Sequence, residues 1–537
     1  MTRTTVADVV AQACAAYGVA RAFGVPGGGS SLDLIAAFAR HGIDFHLCRT
    51  ETGAVLMAAA DAEIRNSFGV AITTQGPGAA SAMNGLAHAS LDRAPVLFIS
   101  DGWTEAQSAI DTHQVFDQCA MSAPVVKASS RLDSAHPGGE LEGLIGTMLQ
   151  APWGPVHIEL TGENARRQIE PVARLVTAAP APARKRSGHG DPDALLQGAR
   201  RPVLLVGLEA RDDGAPAQLV ALAQRLHCPV LTTYKAKGIL SDESDWVIGH
   251  FTGGAAERDC IEAADLIVMC GLDPVELIGK PWPYAAPVLD IALLAHRVHY
   301  VKPVAGRYGP LAASLESLLP ACRRSDWSAE ELVSLRAAMV ERLACLVPGP
   351  GLSPQLVVER ALAVAHPLRP SITVDAGAHM FSAMAFWQAV AAGTALISNG
   401  LATMGFALPA GIASALHAPD RPTIVFTGDG GLLMCAGEHA PAAQSGARLC
   451  VIVFNDGALS LIALKQRSRG MAQAGVTWPR NDFAAMARAV GMSAFSASTQ
   501  SAYEAALRRA LDSPGPCLID VHVDPSGYLA QAKALRG

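Results

Sequence analysis

Short runs rich in β-forming residues, several of them continuously apolar, recur along the chain and are separated by intervals that are long enough to hold a helix. Clear examples are residues 70–74, 95–99, 155–160, 202–206, 266–270, 371–374, 423–426, 449–454 and 517–523. Several are bounded by Gly, Pro or Asp, which is typical of strands buried on both faces. The intervals are rich in Ala and Leu and fit crossover helices. The sequence therefore predicts an α/β protein built from repeated βαβ units with parallel sheets.

Chain length and two linker-like segments divide this pattern into domains. At roughly 150 residues per domain, 537 residues correspond to three or four domains. Residues 174–193 are rich in Pro, Ala and charge, and residues 346–353 are rich in Gly and Pro. We therefore expect three doubly wound domains, at residues 1–175, 190–330 and 350–537.

Composition and charge argue against several classes of protein. The net charge of −6 is mild, and the densest basic run, residues 184–186, lies in a Pro- and Ala-rich stretch typical of a solvated linker. The eleven cysteines form no C-x-x-C pair, unlike a zinc framework or a disulfide scaffold. The start lacks a signal-peptide pattern, and the most apolar segment, residues 404–418, is too short to cross a bilayer. We expect a cytoplasmic protein without nucleic-acid or membrane partners.

Two consecutive predicted strands end in residues that carry chemistry. The run PTIVFTGDGG delivers Asp429 to the start of a helix, and the next strand, LCVIVFNDG, ends at Asn455. Ligands of open α/β sheets bind at the carboxyl ends of the strands, so the two side chains should lie side by side. Asp429, Asn455 and the carbonyl of Gly457 are the kinds of oxygen that Mg²⁺ prefers. The glycines let backbone N–H groups approach a phosphate at the helix N-terminus.

At these residues the chain resembles the thiamine-diphosphate (ThDP) dependent family of acetolactate synthases, pyruvate oxidases, benzaldehyde lyases and 2-oxo acid decarboxylases. In that family a Gly-Asp-Gly, followed about 26–27 residues later by Asn, anchors a magnesium diphosphate. The resemblance runs along nearly the whole chain. Its other motifs read FGVPGGGSSLDLI, RTETGAVLMAAADA, TTQGPGAASAMNGLAHASLDRAPVLFIS, DTHQVFDQ, DAGAHM and SNGLATMGFALPAG.

The resemblance implies a pyrimidine-binding first domain, a middle domain and a last domain that binds diphosphate and Mg²⁺. Glu51 would be the catalytic glutamate that contacts the cofactor's pyrimidine, and Met404 would hold the cofactor in a bent shape. Gln114 and His113 would face the reacting carbon of a small-molecule substrate. Predicted cofactor contacts are Gly27, Gly28, Pro77, Ala378, His379, Ala402, Met404, Gly428, Asp429, Gly430, Gly431, Asn455, Gly457 and Leu459, with Asp429, Asn455 and Gly457 holding the metal.

Departures from the family pattern limit which cofactors and reactions of the family we expect. The middle-domain run that binds FAD in some acetolactate synthases is replaced by CGLDPVELIGKPW, so we do not expect FAD. Pyruvate decarboxylases carry a His-His pair and a downstream Glu, and the corresponding residues here are His113-Gln114 and Leu461. Thr50 stands where the family usually has a His before its glutamate. Leu464 replaces the Trp of the second-substrate pocket.

The leading interpretation is a decarboxylase and carboligase of acetolactate-synthase type, acting on a 2-oxo acid. An alternative is a lyase or decarboxylase of a hydroxyketone, an aromatic 2-oxo acid or an acyl-CoA, whose phosphates residues 465–469 could contact. A catalytically silent ThDP-binding protein is the alternative from another class, and the intact Glu51, Asp429 and Asn455 argue against it. The resemblance also implies sites shared between subunits, hence a homodimer at minimum and typically a homotetramer.

Overall fold

The computed structural model describes residues 4–170, 187–277, 281–349 and 351–536. Residues 174–186 of the first predicted linker, including the basic run at 184–186, lie outside the described residues. The chain divides into two compact units. Unit 1 comprises residues 4–170, Gly400–His417 and Cys435–Ser445, and unit 2 comprises the other described residues.

The strands and helices alternate along most of the chain. The strands are β1 Thr4–Thr5, β2 Arg21–Val25, β3 Asp44–Leu47, β4 Gly69–Thr73, β5 Val96–Gly102, β6 Ser129–Ser130, β7 Val156–Thr161, β8 Gln168–Ile169, β9 Ser187–His189, β10 Pro202–Val206, β11 Val230–Thr232, β12 Val247–His250, β13 Leu266–Cys270, β14 Val288–Ala292, β15 Ala305–Tyr308, β16 Ser371–Val374, β17 Ala395–Ile397, β18 Thr423–Gly428, β19 Leu449–Asn455, β20 Ser493–Ala497 and β21 Cys517–His522. The α-helices are α1 Val6–Ala16, α2 Ser30–Arg40, α3 Glu51–Arg65, α4 Pro77–Ser81, α5 Met83–Leu91, α6 Glu105–Ser108, α7 Gln118–Ser122, α8 Pro137–Leu149, α9 Gly162–Arg166, α10 Pro192–Gly198, α11 Ala215–Leu226, α12 Arg258–Glu262, α13 Leu311–Leu318, α14 Ala329–Arg342, α15 Pro354–Ala365, α16 His379–Phe386, α17 Ala407–His417, α18 Asp429–Met434, α19 His439–Ser445, α20 Ser460–Ser468, α21 Phe483–Ala489, α22 Gln500–Asp512 and α23 Tyr528–Arg536. Short 3₁₀ helices span Leu208–Arg211, Tyr234–Ala236, Pro274–Glu276, Leu319–Ala321, His366–Leu368, Ala436–Glu438 and Pro525–Gly527.

Unit 1 is built on a six-stranded parallel sheet in the order β3-β2-β4-β5-β7-β6. Side chains of α1, α2 and α8, such as Phe38 and Ile145, form one core with Ile72 and Ile158 of the sheet. Alternate strand residues point to opposite faces. Gly69 therefore faces away from this core, and a Cβ there would lie 1.9 Å from the Ala58 carbonyl oxygen of α3. Helix α3 thus covers the other face of the sheet.

Helix α3 is buried nearly all round. Ten consecutive residues, Gly53 to Ala62, are buried, and most of them are small. Small side chains allow close approach: a Cβ on Gly85 of α5 would lie 2.6 Å from the Val55 Cβ. Helix α17 also packs against α3. The tightly packed part of α3 thus begins two residues after Glu51.

Unit 2 contains two sheets. One has seven strands in the order β12-β11-β10-β13-β14-β15-β9, parallel except for the antiparallel edge strand β9. The other has six parallel strands in the order β17-β16-β18-β19-β21-β20. In this second sheet, β18 and β19 are adjacent, and Gly428 pairs with Phe454 at their carboxyl ends.

The predicted α/β fold class with parallel sheets is confirmed: three large sheets are essentially parallel, and β1 and β8 form a fourth, two-stranded antiparallel sheet. Part of the first predicted linker is structured, since residues 187–189 form β9 and α10 begins at Pro192. The domain boundaries at 175, 190, 330 and 350 stay predictions. Among the described residues, no helix has both the length and the apolar composition needed to span a membrane.

Candidate active site

Glu51 is the first residue of α3 and is half-buried. Thr50, the residue before it, caps the helix, because its Oγ1 accepts a hydrogen bond of 3.0 Å from the N–H of Gly53. Thr50 therefore serves to begin the helix. The cap fixes the backbone from which the Glu51 carboxylate projects.

Glu438 holds the same stretch of backbone from outside the helix. Its carboxylate accepts hydrogen bonds from the N–H of Arg49 at 3.1 Å and of Thr50 at 2.9 Å. Burial raises the pKa of the Glu438 carboxyl, and the hydrogen bonds that it accepts offset part of that rise. A Cβ on Gly53 would lie 2.5 Å from Glu438 Oε1, so a larger residue there would displace the Glu438 carboxylate. Glu438 thus positions the residues directly before Glu51.

The loop that precedes α4 lies between Glu51 and Gln114. Gly76 has a positive φ of 62°, and a Cβ there would lie 2.8 Å from the Gln114 Cβ and carbonyl oxygen. A Cβ on Gly78 would lie 3.5 Å from Glu51 Oε1. Pro77, between the two glycines, begins α4. The structure therefore brings the predicted residues Glu51, Pro77 and Gln114 together.

Gln114 adopts the left-handed region, with a φ of 63°, although it is not a glycine. Such backbone is costly and is concentrated at functional sites in proteins. His113 and Gln114 are both exposed, and the His113 N–H donates a 2.9 Å hydrogen bond to Asp111 Oδ1. The exposed side chains of both residues are available to a ligand.

Two more predicted contacts lie in the loop between β2 and α2. The N–H of Gly27 donates a 3.3 Å hydrogen bond to the Ser31 hydroxyl, and a Cβ on Gly27 would overlap the Thr74 hydroxyl at 2.1 Å. Gly28 is exposed, with no atom within 4 Å of the position where its Cβ would be. The loop thus leaves open space at Gly28, at the carboxyl end of a parallel strand.

The segment that carries Ala402 and Met404 is held by α5. The carboxylate of Asp92 accepts hydrogen bonds from the N–H of Gly400 and of Leu401, both at 3.2 Å. The Asn84 side chain donates a 3.0 Å hydrogen bond to the Thr403 hydroxyl. Ala402 has a φ of 53°. Like Gln114, it is a predicted site residue that adopts the left-handed region although it is not a glycine. Met404 follows this strained turn and is half-buried.

In unit 2, Asp429 lies where β18 passes into α18. Its carboxylate accepts 2.8 Å hydrogen bonds from the N–H of Gly430 and of Gly457, the latter in the loop after β19. Gly457 has a φ of 72°, which favours glycine. Burial, with a smaller contribution from the neighbouring Asp456 charge, raises the pKa of Asp429 to about 7. The carboxylate is thus costly to ionise without a cation nearby.

Asn455, the last residue of β19, has no exposed surface. Its side-chain NH₂ donates to the Asn481 carbonyl at 3.0 Å and to Asp520 Oδ1 at 2.9 Å. These two acceptors orient the amide group. Its oxygen, Oδ1, has no hydrogen-bond partner among the described residues. Asp429 and Asn455 therefore offer a carboxylate and an unsatisfied amide oxygen, a donor set that could hold a hard divalent cation.

His379 begins α16, directly after the predicted contact Ala378, and both residues are buried. The imidazole stacks on Phe454, with ring centroids 5.3 Å apart, and its Nε2 has no partner among the described residues. Burial lowers the pKa of His379 to about 3. A Cβ on Gly428 would lie 3.0 Å from His379 Nδ1. A neutral ring with one free nitrogen is thus fixed beside the end of β18.

The Trp478 indole packs next to Gly430 of α18. A Cβ on Gly430 would lie 3.2 Å from the Trp478 indole and 3.0 Å from Leu459 Cδ2. The backbone N–H of Trp478 donates a 2.9 Å hydrogen bond to the Gly457 carbonyl, which is a predicted metal ligand. Gly431, the other predicted glycine, is buried in α18. Leu464, by contrast, packs in a core with Tyr528 and Ala378.

Sequence reasoning missed Glu438, Asp520 and Trp478. Glu438 and Asp520 act on residues 388 and 65 positions away in the chain. The Gly-Asp-Gly-Gly motif does not predict them, because they orient other residues and have no fixed sequence spacing from the motif. The available hint was that Glu438 is the one charged residue between Gly430 and Ala447.

Comparisons with known proteins define the class of enzyme. Three family models match the chain: "Thiamine pyrophosphate enzyme, N-terminal TPP binding domain" over residues 4–121, the central domain over 194–316, and the C-terminal TPP binding domain over 375–521. Together they cover most strands of the three large sheets. The chain belongs to the thiamine pyrophosphate enzyme family, as its sequence motifs predict.

Several relatives resemble the chain over nearly its full length. The acetolactate synthase of Bacillus subtilis is 26% identical over 97% of this chain and 93% of the relative. The acetolactate synthase isozyme 1 large subunit of Escherichia coli is 27% identical over 97% and 94%, respectively. The probable 2-ketoarginine decarboxylase of Pseudomonas aeruginosa is 30% identical over 96% and 94%. The protein is thus a ThDP-dependent enzyme, similar to acetolactate synthases, that forms or cleaves carbon–carbon bonds.

Proposed function

We propose that the enzyme is a Mg²⁺-dependent decarboxylase and carboligase that acts on a 2-oxo acid. The observation that carries this proposal is the buried Asn455 Oδ1 without a partner, on the strand next to Asp429. A buried amide oxygen costs free energy unless it is satisfied, and a metal ion would satisfy it. Relatives with acetolactate-synthase names align with 97% of this chain and with 93–94% of their own length, which supports the proposal.

In this proposal, Asp429, Asn455 and the Gly457 carbonyl hold Mg²⁺. The ion would relieve the cost of ionising the buried Asp429 carboxylate, because it supplies positive charge at that point. Gly428, Gly430 and Gly431 let backbone N–H groups approach the diphosphate, and Ala378, His379 and Leu459 border it. The Asp429 and Asn455 oxygens match the hard-oxygen preference of Mg²⁺.

The catalytic residues in this proposal lie in unit 1. ThDP, when bound, supplies a nucleophilic carbon and an electron sink for the carbonyl substrate. Glu51 would hold a proton at the pyrimidine ring, and Glu438 would keep Glu51 in place. Ala402 and Met404 would hold the aminopyrimidine in its bent shape, with Gly27, Gly28 and Pro77 beside it. Gln114 and His113, both exposed, would orient the substrate carbonyl and move protons at it.

We also propose a homodimer at minimum, and a homotetramer as the full assembly, in which each active site takes residues from two subunits. This follows from the resemblance to the family. A cytoplasmic location is part of the same proposal. It is supported by the eleven cysteines, all of which are free thiols, as expected in a reducing compartment.

The test is carbon dioxide release and product analysis with ThDP, Mg²⁺ and single 2-oxo acids. The panel contains pyruvate, 2-oxobutyrate, and branched-chain, aromatic and dicarboxylic 2-oxo acids, each with and without an aldehyde. Release together with a hydroxyketone product supports the carboligase, and release with only an aldehyde product supports a simple decarboxylase. No release from any acid contradicts the proposal and favours a lyase, an acyl-CoA substrate or a silent ThDP-binding protein.

A guanidino-substituted 2-oxo acid belongs in the same panel. The relative named as a probable 2-ketoarginine decarboxylase is 30% identical to this chain, against 26–27% for the two acetolactate synthases described above. The second candidate function is therefore decarboxylation of a longer, cationic 2-oxo acid. Faster release from 2-ketoarginine than from pyruvate would favour this candidate, and the reverse order would favour the acetolactate-synthase type.

A further inference from the structure

A cluster of metal-binding side chains lies in the seven-stranded sheet of unit 2. Glu209 follows β10, Asp273 follows β13 and His296 follows β14, and these three strands are neighbours. The potential ligand atoms of the three side chains all lie within 4.8 Å of one another. The strand order reverses between β10 and β13, and the carboxyl ends at such a reversal form the usual ligand crevice of a doubly wound sheet.

Backbone contacts hold the two carboxylates of this cluster in place. Glu209 is 2% exposed, and its Oε2 accepts a 2.8 Å hydrogen bond from the Leu293 N–H. Its Oε1 lies 3.1 Å from His296 Nε2. Asp273 is also buried, and its Oδ1 accepts a 2.9 Å hydrogen bond from the Val275 N–H. The cluster is thus ordered by the loops that follow three different strands.

A fourth group indicates that a ligand is missing. Asp290 lies on β14 and is 2% exposed. Asp290 Oδ1 has no hydrogen-bond partner among the described residues. Asp290 lies close enough to Glu209 and His296 for their charges to affect its ionisation. Asp290 thus adds a third buried carboxylate to this part of the sheet, and one of its oxygens is left without a hydrogen-bond partner among the described residues.

His299 adds a second imidazole close to the cluster. Its ring centroid lies 6.3 Å from that of His296. Its Nδ1 accepts a 3.1 Å hydrogen bond from the Val301 N–H, while Nε2 is buried and has no partner among the described residues. Arg297 and Val298, between the two histidines, are exposed, so an ion could reach the cluster from solvent through this loop.

The sign of the charge decides which kind of ligand fits. A nucleotide phosphate at this crevice would meet the carboxylates of Glu209, Asp273 and Asp290, and like charges at low dielectric repel. Buried carboxylates are normally paired with a cation or coordinate a metal. Mixed imidazole and carboxylate donors suit Zn²⁺, Co²⁺ or Ni²⁺, whereas Mg²⁺ prefers oxygen ligands alone.

We propose that Glu209, Asp273 and His296 bind one divalent transition-metal ion such as Zn²⁺. The ion replaces the hydrogen bond between Glu209 and His296, and any proton on the metal-binding nitrogen passes to solvent. Asp290 and His299 lie near this group of ligands without contributing to it. The site fastens the loop at residues 293–301 to the sheet. It is separate from the Mg²⁺ site proposed at Asp429 and needs no catalytic turnover.

The experiment uses the full chain saturated with ThDP and Mg²⁺, freed of transition metals with a chelator and then titrated with Co²⁺ or Zn²⁺. Calorimetry gives the stoichiometry, and the visible Co²⁺ spectrum reports the coordination. Wild-type protein should bind one ion per chain with a Co²⁺ absorption band. Glu209→Gln and His296→Gln should each weaken binding by at least about tenfold. Circular dichroism and gel filtration establish that the variants fold.

The matched control is His366→Gln. His366 forms an exposed pair with Glu243, with Nε2 2.7 Å from Glu243 Oε1 and no third ligand identified among the described residues. Its loss should leave binding unchanged. No binding by the wild type, or equal binding by wild type, Glu209→Gln and His296→Gln, would overturn the proposal and make the cluster a hydrogen-bonded network only.

Discussion

The side-chain amide of Asn455 donates a 2.9 Å hydrogen bond to Asp520 Oδ1, on the adjacent strand β21. A second hydrogen bond, to the Asn481 carbonyl, uses the other amide hydrogen. Both donors of Asn455 are therefore satisfied on the protein side, and the amide oxygen is left for a ligand. Asp520 thus orients a proposed metal ligand without touching the metal itself.

Asp520→Asn should weaken the Mg²⁺-dependent binding of ThDP by at least about tenfold, because the new side chain can present an NH₂ where Asn455 needs an acceptor. The measurement is equilibrium ThDP binding, followed by quenching of protein fluorescence, at fixed Mg²⁺. Asp482→Asn is the control, since Asp482 is exposed and caps α21, a position where Asn serves equally well. Unchanged binding by Asp520→Asn would contradict the assigned orientation of Asn455.

Glu438→Ala should lower the turnover number by about tenfold or more, with a smaller effect on ThDP affinity. The substitution frees the N–H groups of Arg49 and Thr50, so that the start of α3 and Glu51 lose their alignment. Glu438→Gln keeps an acceptor oxygen and should recover part of the rate. Gln444→Ala, which removes only a contact to the Arg49 side chain, is the control. Equal turnover by all three variants and the wild type would show that Glu438 does not position Glu51.

His157 should make the protein sensitive to acid. The ring lies between the hydroxyls of Ser100 and Ser122, at 2.8 and 2.9 Å, and burial lowers its pKa to about 4. As the pH falls below about 6.5, the unfolded chain takes up a proton on this residue before the folded protein does. The contribution of His157 to the free energy of unfolding is therefore complete above about pH 6.5. It decreases by roughly 3 kcal/mol as the pH falls to about 4.

The measurement is the free energy of unfolding in urea between pH 7 and pH 4, in the wild type and His157→Gln. The variant should lose less stability on acidification than the wild type does. His41→Gln, at an exposed helix end, should follow the wild-type curve. A steeper or unchanged acid loss in His157→Gln would be inconsistent with a neutral buried ring.

Co-expression of two inactive variants should restore activity if each site takes residues from two subunits. In a mixed dimer of Glu51→Gln and Asp429→Ala chains, one site carries both changes and the other carries neither. Random pairing makes half the dimers mixed, each with one of two sites intact, so about a quarter of wild-type activity should return. Activity no higher than that of either variant alone would show that Glu51 and Asp429 of one site belong to one chain.

Much of the fold could be predicted because its central strands are continuous apolar runs. Residues 449–454 are an example, since β19 is buried along its whole length. Strand β3, by contrast, is half exposed at the sheet edge, and β15 is only Ala-Gly-Arg-Tyr, so neither has a readable apolar pattern. An edge strand such as β3 is defined by its partner in the sheet and carries little signal of its own. Strand β15 lies between β14 and β9, and its Gly and Arg interrupt any apolar run.

The candidate site was predictable where it depends on strand ends and not where it depends on long-range packing. Asp429 and Asn455 follow neighbouring strands, so their proximity follows from topology. Nothing near Arg49 in sequence indicates that Glu438 holds it, because their contact depends on how α17 and the segment 435–445 pack in unit 1. The local motif therefore gives the ligands, and the tertiary structure gives the residues that orient them.

The most direct test of the central claim compares Glu51→Gln with Asp429→Ala in ThDP binding and in carbon dioxide release from the best 2-oxo acid. The account predicts that Glu51→Gln binds ThDP normally with Mg²⁺ but has almost no turnover, because the pyrimidine loses its proton partner. Asp429→Ala should lose Mg²⁺-dependent ThDP binding. Normal turnover by Glu51→Gln with bound ThDP would contradict the account.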